Sequence, residues 1–193
     1  GAVLDRCTFA GNSALDAIGG AIYTFQTPLE ARNCGFHGNS AGIGGFAIYH
    51  DRPLPAASGG FSGPQLVNCV FTGNTCSLRE TPDQFGSLCQ TNSANGTINS
   101  RGNILMVNCT LTRNYGDLNA GLIIGWDGIT PQPDPVVTNC VFWNNTARPQ
   151  PHTFYSKEID ATNPPLIPGG LLLNNPATFA TFNNITFSCI QGL

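Results

Sequence analysis

The sequence predicts an all-β chain folded as a right-handed parallel β-helix, a solenoid of about five to six coils with loop insertions. Three observations predict it. A short phrase, N-C-x-F-x-G-N-x-A, keeps returning. Residues within each copy alternate in polarity, as a strand requires, and show no helical spacing. A second phrase, led by paired glycines, lies between the copies.

The first copy is Arg6-Cys7-Thr8-Phe9-Ala10-Gly11-Asn12-Ser13-Ala14. It returns at Asn33-Cys34-Gly35-Phe36-His37-Gly38-Asn39-Ser40-Ala41 and at Asn68-Cys69-Val70-Phe71-Thr72-Gly73-Asn74-Thr75-Cys76. Looser copies are Asn108-Cys109-Thr110-Leu111-Thr112-Arg113-Asn114 and Asn139-Cys140-Val141-Phe142-Trp143-Asn144-Asn145-Thr146-Ala147, and a worn sixth is Asn184-Ile185-Thr186-Phe187. Successive repeat cysteines lie 27, 35, 40 and 31 residues apart. Helical solenoids hold their period more tightly. In Val67-Asn68-Cys69-Val70-Phe71 the period of two places residues 67, 69 and 71 on one face of a strand and Asn68 and Val70 on the other.

The second phrase is Gly19-Gly20-Ala21-Ile22-Tyr23, then Gly44-Gly45-Phe46-Ala47-Ile48-Tyr49, Ala120-Gly121-Leu122-Ile123-Ile124 and Gly169-Gly170-Leu171-Leu172-Leu173, with Asn95-Gly96-Thr97-Ile98 as a weaker copy. Each unit then reads as a Gly-led strand, a connection, an N-C-x-F strand and an Asn turn. Stacked at ~4.8 Å, the units form a rod roughly 30 Å long. Phe9, Phe36, Phe71, Leu111 and Phe142 become an interior ladder. Cys7, Cys34, Cys69, Cys109 and Cys140 become a second, with reduced Cys packing as a small hydrophobe. Asn12, Asn39, Asn74, Asn114 and Asn145 are expected at a turn, where Asn tolerates left-handed dihedrals and its amide can bond the next coil.

The 193 residues suit a single domain, with inserts near 50–65, 76–94 and 147–167. Charged residues make up only 10%, and the net charge of −3 offers no basic surface for nucleic acid. No run is long and apolar enough to be a membrane span. Hydrophobic content of 41% with strict alternation argues against disorder. The chain opens on Gly1 with the repeat under way by Cys7, which reads as a processed product or a fragment of a longer chain. Neither end carries an atypical polar repeat of the capping kind, so further chain or a neighbouring copy is expected at each end.

The pairing of Gly-Gly-Ala-Ile (19–22) with Phe-x-x-Asn (9–12) resembles the repeats of polymorphic outer membrane proteins. The fuller phrase is similar to the β-helix repeats of large secreted and surface proteins of bacteria and some algae or protists. Ser188-Cys189-Ile190-Gln191-Gly192 is similar to the segment that closes such arrays. The resemblance spans most of the chain outside the inserts. It implies a parallel β-helix at the cell surface, and leaves activity open between adhesin, autotransported passenger and structural repeat.

Catalytic chemistry is thinly signalled. His37 sits at a repeat position held elsewhere by Ala10 and Thr72, which reads as an ordinary outward residue. Tyr49-His50-Asp51-Arg52 is the densest polar cluster and could hold an acid or base; its run into Pro53-Leu54-Pro55 reads as a solvated strand end. Asp117 and Trp126-Asp127-Gly128 supply too few oxygens for calcium and read as turn residues. His152 has no evident partner, and no nucleophile triad, phosphate loop or metal-ligand spacing is present, so no catalytic residue, metal or cofactor is assigned. The one Thr-x-Thr, Thr110-Leu111-Thr112, falls short of the regular array an ice-binding face needs.

Outside the ladder lie Cys76, Cys89 and Cys189. Cys76 and Cys89 bracket an insert, and a disulfide between them would staple it, worth ~3 kcal/mol for a loop of that size. Alternatively Cys76 fills the small-residue position of Ala14, Ala41 and Ala147. Glycosylation sequons begin at Asn95, Asn108, Asn144 and Asn184. The favoured reading is a non-enzymatic rod of an extracellular or cell-surface protein, partnered end to end by neighbouring copies or further domains of its parent. The alternatives are an adhesin that binds extracellular glycans and a polysaccharide-active enzyme built on Tyr49, His50, Asp51, Asp117 and Trp126.

Overall fold

The computed structural model describes residues 1–15, 17–51, 63–76, 96–101, 103–116, 120–125, 135–147, 171–174, 185–186 and 189–190. These build a right-handed parallel β-helix whose coils each carry four strands. Coil one holds β1 (Ala2–Asp5), β2 (Thr8–Ala10), β3 (Ser13–Ala14) and β4 (Ile22–Phe25). Coil two repeats them as β5 (Leu29–Arg32), β6 (Gly35–His37), β7 (Ser40–Ala41) and β8 (Ile48–Asp51). Coil three holds β9 (Gln65–Val67), β10 (Val70–Thr72), β11 (Thr75–Cys76) and β12 (Ile98–Ser100). Coil four holds β13 (Leu105–Val107), β14 (Thr110–Thr112), β15 (Tyr115–Gly116) and β16 (Leu122–Gly125). Coil five holds β17 (Val136–Thr138), β18 (Val141–Trp143), β19 (Thr146–Ala147) and β20 (Leu171–Asn174), and β21 (Ile185–Thr186) and β22 (Cys189–Ile190) begin a sixth.

Equivalent strands of successive coils pair in parallel, giving a first and second sheet of six strands and a third and fourth of five. Among the described residues no helix is long and apolar enough to cross a membrane.

The four-strand coil corrects the expected unit. Val67-Asn68-Cys69-Val70-Phe71 is not one alternating strand. It is the end of β9, a corner, and the start of β10. Asn68 makes the corner with φ of 54°, and Arg6, Asn33, Asn108 and Asn139 do the same in their coils. Asn tolerates this left-handed region, so a non-glycine corner is affordable there. The corner directs Cys69 inward directly after it, and Phe71 follows at the middle of β10.

A second correction concerns the other asparagines. The positive φ falls one residue earlier, on Gly11, Gly38, Gly73, Arg113 and Asn144. Asn39, Asn74, Asn114 and Asn145 keep ordinary backbones and point inward, where all four are buried. Burial is tolerable because every amide is satisfied. Asn74 Nδ2 donates to Phe36 O in the coil before (3.0 Å) and to Asn114 Oδ1 in the coil after (3.0 Å). Its Oδ1 accepts the backbone N–H of Asn39 (3.0 Å) and Asn39 Nδ2 (2.9 Å).

The rest of the interior is apolar. Phe36, Phe71, Leu111 and Phe142 are fully buried from the second sheet, and Phe9 is half-buried against them. Phe9 stacks on Phe36 at 5.0 Å and Phe36 on Phe71 at 4.6 Å, with the ring planes nearly parallel. Cys34, Cys69, Cys109 and Cys140 are buried at the first corner, Cys7 is half-buried, and all five are free thiols. Leu29, Ala31, Leu66, Met106 and Val137 face them from the first sheet. Ile48, Ile98 and Leu122 close the core from the fourth. Ala41, Phe46 and Cys76 form a smaller cluster at the third sheet, with Ala14 packed against it.

The sixth copy also shifts. Val137 pairs with Ile185, Val141 with Cys189 and Phe142 with Ile190, so Cys189 and Ile190 take the last two places of N-C-x-F. Ile185 takes a first-sheet position. The expected alignment of Asn184-Ile185-Thr186-Phe187 with that phrase is therefore wrong by three residues.

Candidate functional site

The inserts select one side of the rod. Residues 52–62 connect β8 to β9 and residues 126–134 connect β16 to β17, both leaving the fourth sheet. Residues 77–95 connect β11 to β12 and residues 148–170 connect β19 to β20, both entering it. The extra length therefore leaves the coil at the two borders of the fourth sheet. The corner before each repeat cysteine and the corner before each interior asparagine stay short in every coil.

The fourth sheet also breaks the repeat's chemistry. In register run Ile22, Ile48, Ile98, Leu122 and Leu171, then Tyr23, Tyr49, Asn99, Ile123 and Leu172. The third column is Thr24, His50, Ser100, Ile124 and Leu173. Period two turns the first and third columns of coils one to three inward and the second outward. His50 is fully buried, and its Nδ1 meets Thr24 Oγ1 at 2.8 Å. The expected solvated strand end at Tyr49-His50-Asp51 is thus corrected. His50 and Tyr49 are buried and only Asp51 is partly open, because the strand continues the sheet in register through Asp51 instead of leaving it.

On the outer face a connected group crosses three coils. Tyr23 lies over Tyr49 with ring centroids 6.2 Å apart. Tyr23 Oη donates to Asp51 Oδ2 at 3.5 Å, and Arg101 Nη1 donates to Asp51 Oδ1 at 3.1 Å. Arg101 also interacts electrostatically with Tyr49. Burial pushes the Tyr49 phenol up, with Arg101 opposing. Burial disfavours the Arg101 charge, but Tyr49 and Asp51 outweigh it and hold the guanidinium more firmly protonated. The ion pair is too open to add more than ~1 kcal/mol of stability, so its effect is to fix geometry. Phe25, in register with Asp51, is 44% exposed and Tyr23 is 46% exposed.

Sequence reasoning singled out Tyr49, His50 and Asp51 but missed Tyr23, Phe25 and Arg101. The signal for Tyr23 was present, since Tyr23 and Tyr49 both end the Gly-Gly phrase. Arg101 carried none, because it follows β12 after an insert that hides the period. Asp117, Trp126, Asp127 and His152 lie outside the described residues. His37 is half-buried on the outer face of the second sheet, its ring lying back over Gly35. Among the described residues no cluster of His, Cys, Asp and Glu could hold a metal.

The remaining candidate residues scatter. Asn108 is exposed at the first corner, within an outer amide ladder. Its Nδ2 donates to Asn68 Oδ1 at 3.1 Å, and its Oδ1 accepts Asn139 Nδ2 at 2.6 Å. One N–H of Asn108 remains outside that ladder. Asn144 is exposed at the second corner, while Asn95 and Asn184 lie outside the described residues. Cys76 pairs in register with Ala41 and is disulfide-bonded, so it fills the small-residue position and carries a bridge at once. Cys89 lies outside the described residues.

In the thiol column, burial raises Cys34. Hydrogen bonding with Cys140 and Cys69, together with burial, raises Cys109, and the Cys109 hydrogen bond pulls Cys69 down to about 7. Comparison with protein families, with characterised proteins and with solved structures returned no match to this chain.

Proposed function

We propose that this chain is a non-enzymatic structural module of a secreted or cell-surface protein, a stiff β-helical rod for extracellular assembly or display. The observation that carries the reading is the register. Four sheets stack coil on coil, and the repeated residues serve that stacking: inner amides, outer amides, thiols and rings each bond or touch their own kind. Such a solenoid resists bending because deforming one coil strains each ladder that passes through it. The likeness of the repeats to those of polymorphic outer membrane proteins supports a surface location. So does a disulfide at Cys76, with Cys89 as its proposed partner, since such bonds persist in oxidising compartments.

The partners proposed are neighbouring copies, or further domains of the same parent, stacked end to end. A parallel edge strand carries unpaired donors and acceptors, and low charge does little to oppose their pairing. Heterologous contacts of this type propagate when they do not close. Glycans are proposed at Asn108, which is exposed at the first corner, and at Asn184.

Sedimentation of the isolated segment, with electron microscopy of the native material, tests the reading. End-to-end association, or a continuous rod in the parent protein, is the expected result. A segment that stays monomeric and cleaves a polysaccharide in a manner abolished by Asp51→Ala would replace this reading with an enzyme. Glycopeptide mass spectrometry of secreted material should find sugar on Asn108 or Asn184; every sequon bare would count against eukaryotic secretion.

A further inference from the structure

We infer that the outer face of the fourth sheet at coils one to three is a binding site for a neutral oligosaccharide. The site is Tyr23, Phe25, Asp51 and Arg101, above the buried Tyr49. It depends on coil one keeping its outer side uncovered, not on the rod having a structural role.

Three properties favour this ligand. The first is the ring arrangement. Tyr23 and Phe25 alternate with the inward Thr24 on β4, so both rings stand on the outer face, roughly 7 Å apart along the strand. Rings that are nearly half exposed on a rigid strand suit the apolar C–H face of a pyranose at small entropic cost.

The second property is the polar set beside the rings. Asp51 accepts from Tyr23 through one oxygen and from Arg101 through the other. A carboxylate beside a guanidinium offers acceptors and donors together, which suits vicinal hydroxyls. The 3.5 Å Tyr23 contact is long enough for a sugar hydroxyl to replace it with a better one.

The third property is charge. Asp51 and Arg101 form a pair, so the site has no net charge to attract an anionic or a cationic polymer. A protein sheet edge is a poorer occupant, because this is a lateral face whose backbone groups already pair within the sheet. In the same outward column Tyr49, with a coil on either side, is buried, so the site needs the outer side of coil one uncovered. A glycan and a copy stacked on coil one would compete for it.

The test uses the full chain and calorimetric titration with cellohexaose, mannohexaose and chitohexaose, with pentagalacturonate as the anionic comparison. At least one neutral hexasaccharide should bind, with a dissociation constant insensitive to salt. Tyr23→Ala and Phe25→Ala should each weaken it about 10-fold or more, roughly one 1.4 kcal/mol step. Asp51→Asn should weaken it while leaving the ring contacts. Because Tyr23 and Phe25 are exposed, their variants should keep the thermal unfolding midpoint, which separates lost binding from lost fold. Trp143→Ala, an exposed aromatic on a different sheet, should bind as the parent does. The inference is overturned if no neutral probe binds at millimolar concentration. It is equally overturned if binding survives both aromatic substitutions, or if only pentagalacturonate binds and salt abolishes it.

Discussion

The two halves of each coil obey different rules. From the first sheet through the second to the third, successive coils superpose residue on residue, and the corners at Asn68 and Gly73 have counterparts in every coil described. The fourth sheet keeps only its inward apolar column and changes everything else. Tyr23, Tyr49 and Asn99 succeed one another on its outside, and Thr24, His50 and Ser100 on its inside. The physical difference lies in what a side chain must match. A buried asparagine bonded to the coil below and the coil above can be replaced only with both neighbours. An outward residue at a border with inserts has no such double constraint. Strictness therefore marks the scaffold, and looseness marks the side from which the inserts depart.

The largest effect should come from breaking register on the strict side. One residue inserted between Asn68 and Cys69 would send Cys69 and Phe71 to the wrong face and misalign both amide ladders. The expected outcome is loss of cooperative unfolding by calorimetry. The same insertion near residue 85, in a segment whose length already departs from the repeat, should leave the transition in place.

Phe71→Ala should destabilise by ~3–5 kcal/mol, as a buried ring leaving a cavity does. Chemical denaturation reads it directly, and a loss under about 1 kcal/mol would mean the ring ladder is not the core. Tyr23→Ala on the loose side provides the contrast, with a change inside about 0.5 kcal/mol.

Asn74→Ala should cost about 1–3 kcal/mol, because the Asn39 amide and the Phe36 carbonyl lose their partner inside the core. Asn68→Ala should cost about 1–2 kcal/mol from the left-handed backbone, and Asn68→Gly less than half of that. A glycine variant as damaging as the alanine one would show that the outer amide ladder, not the corner, sets the cost.

The smallest effect concerns pH. Burial raises both Cys34 and Tyr49 above their ordinary values. The folded state then holds those protons more tightly than the unfolded chain does. Their contribution is intact below the ordinary thiol value and is lost as pH rises through the raised ones. Thermal midpoints should fall progressively above pH ~9. Cys34→Ala, on the strict side, and Tyr49→Phe, on the loose side, should each flatten that fall, and their relative size apportions it between the two halves.

Much of the strict half was legible in the sequence. The spacing of Phe9, Phe36 and Phe71 by whole coils, and the cysteine two places before each, announced stacked strands with a buried column. Less legible were the corners. A period of two drawn through Asn68 looks the same whether the chain runs straight or bends there, because a left-handed corner also throws neighbouring side chains to opposite sides. Likewise Gly-Asn marks a turn without saying which residue bears the positive φ, so Asn39 and Asn74 read as the left-handed residues when Gly38 and Gly73 take that role and the two asparagines are buried beside them.

The amino-acid sequence by itself determined the class of fold, the number of coils, the apolar ladders and the places where the repeat is interrupted. These are periodic properties, and periodicity survives in one dimension. Only the tertiary structure decided that a coil has four strands, that Asn74 bonds coils on both sides, and that the inserts share the borders of one sheet. It alone brought Tyr23, Asp51 and Arg101 together. Those three are separated by 28 and 50 residues along the chain. They meet because parallel stacking converts whole-coil separations into a strand spacing of ~4.8 Å, a relation that the irregular insert before Arg101 conceals until the register is known.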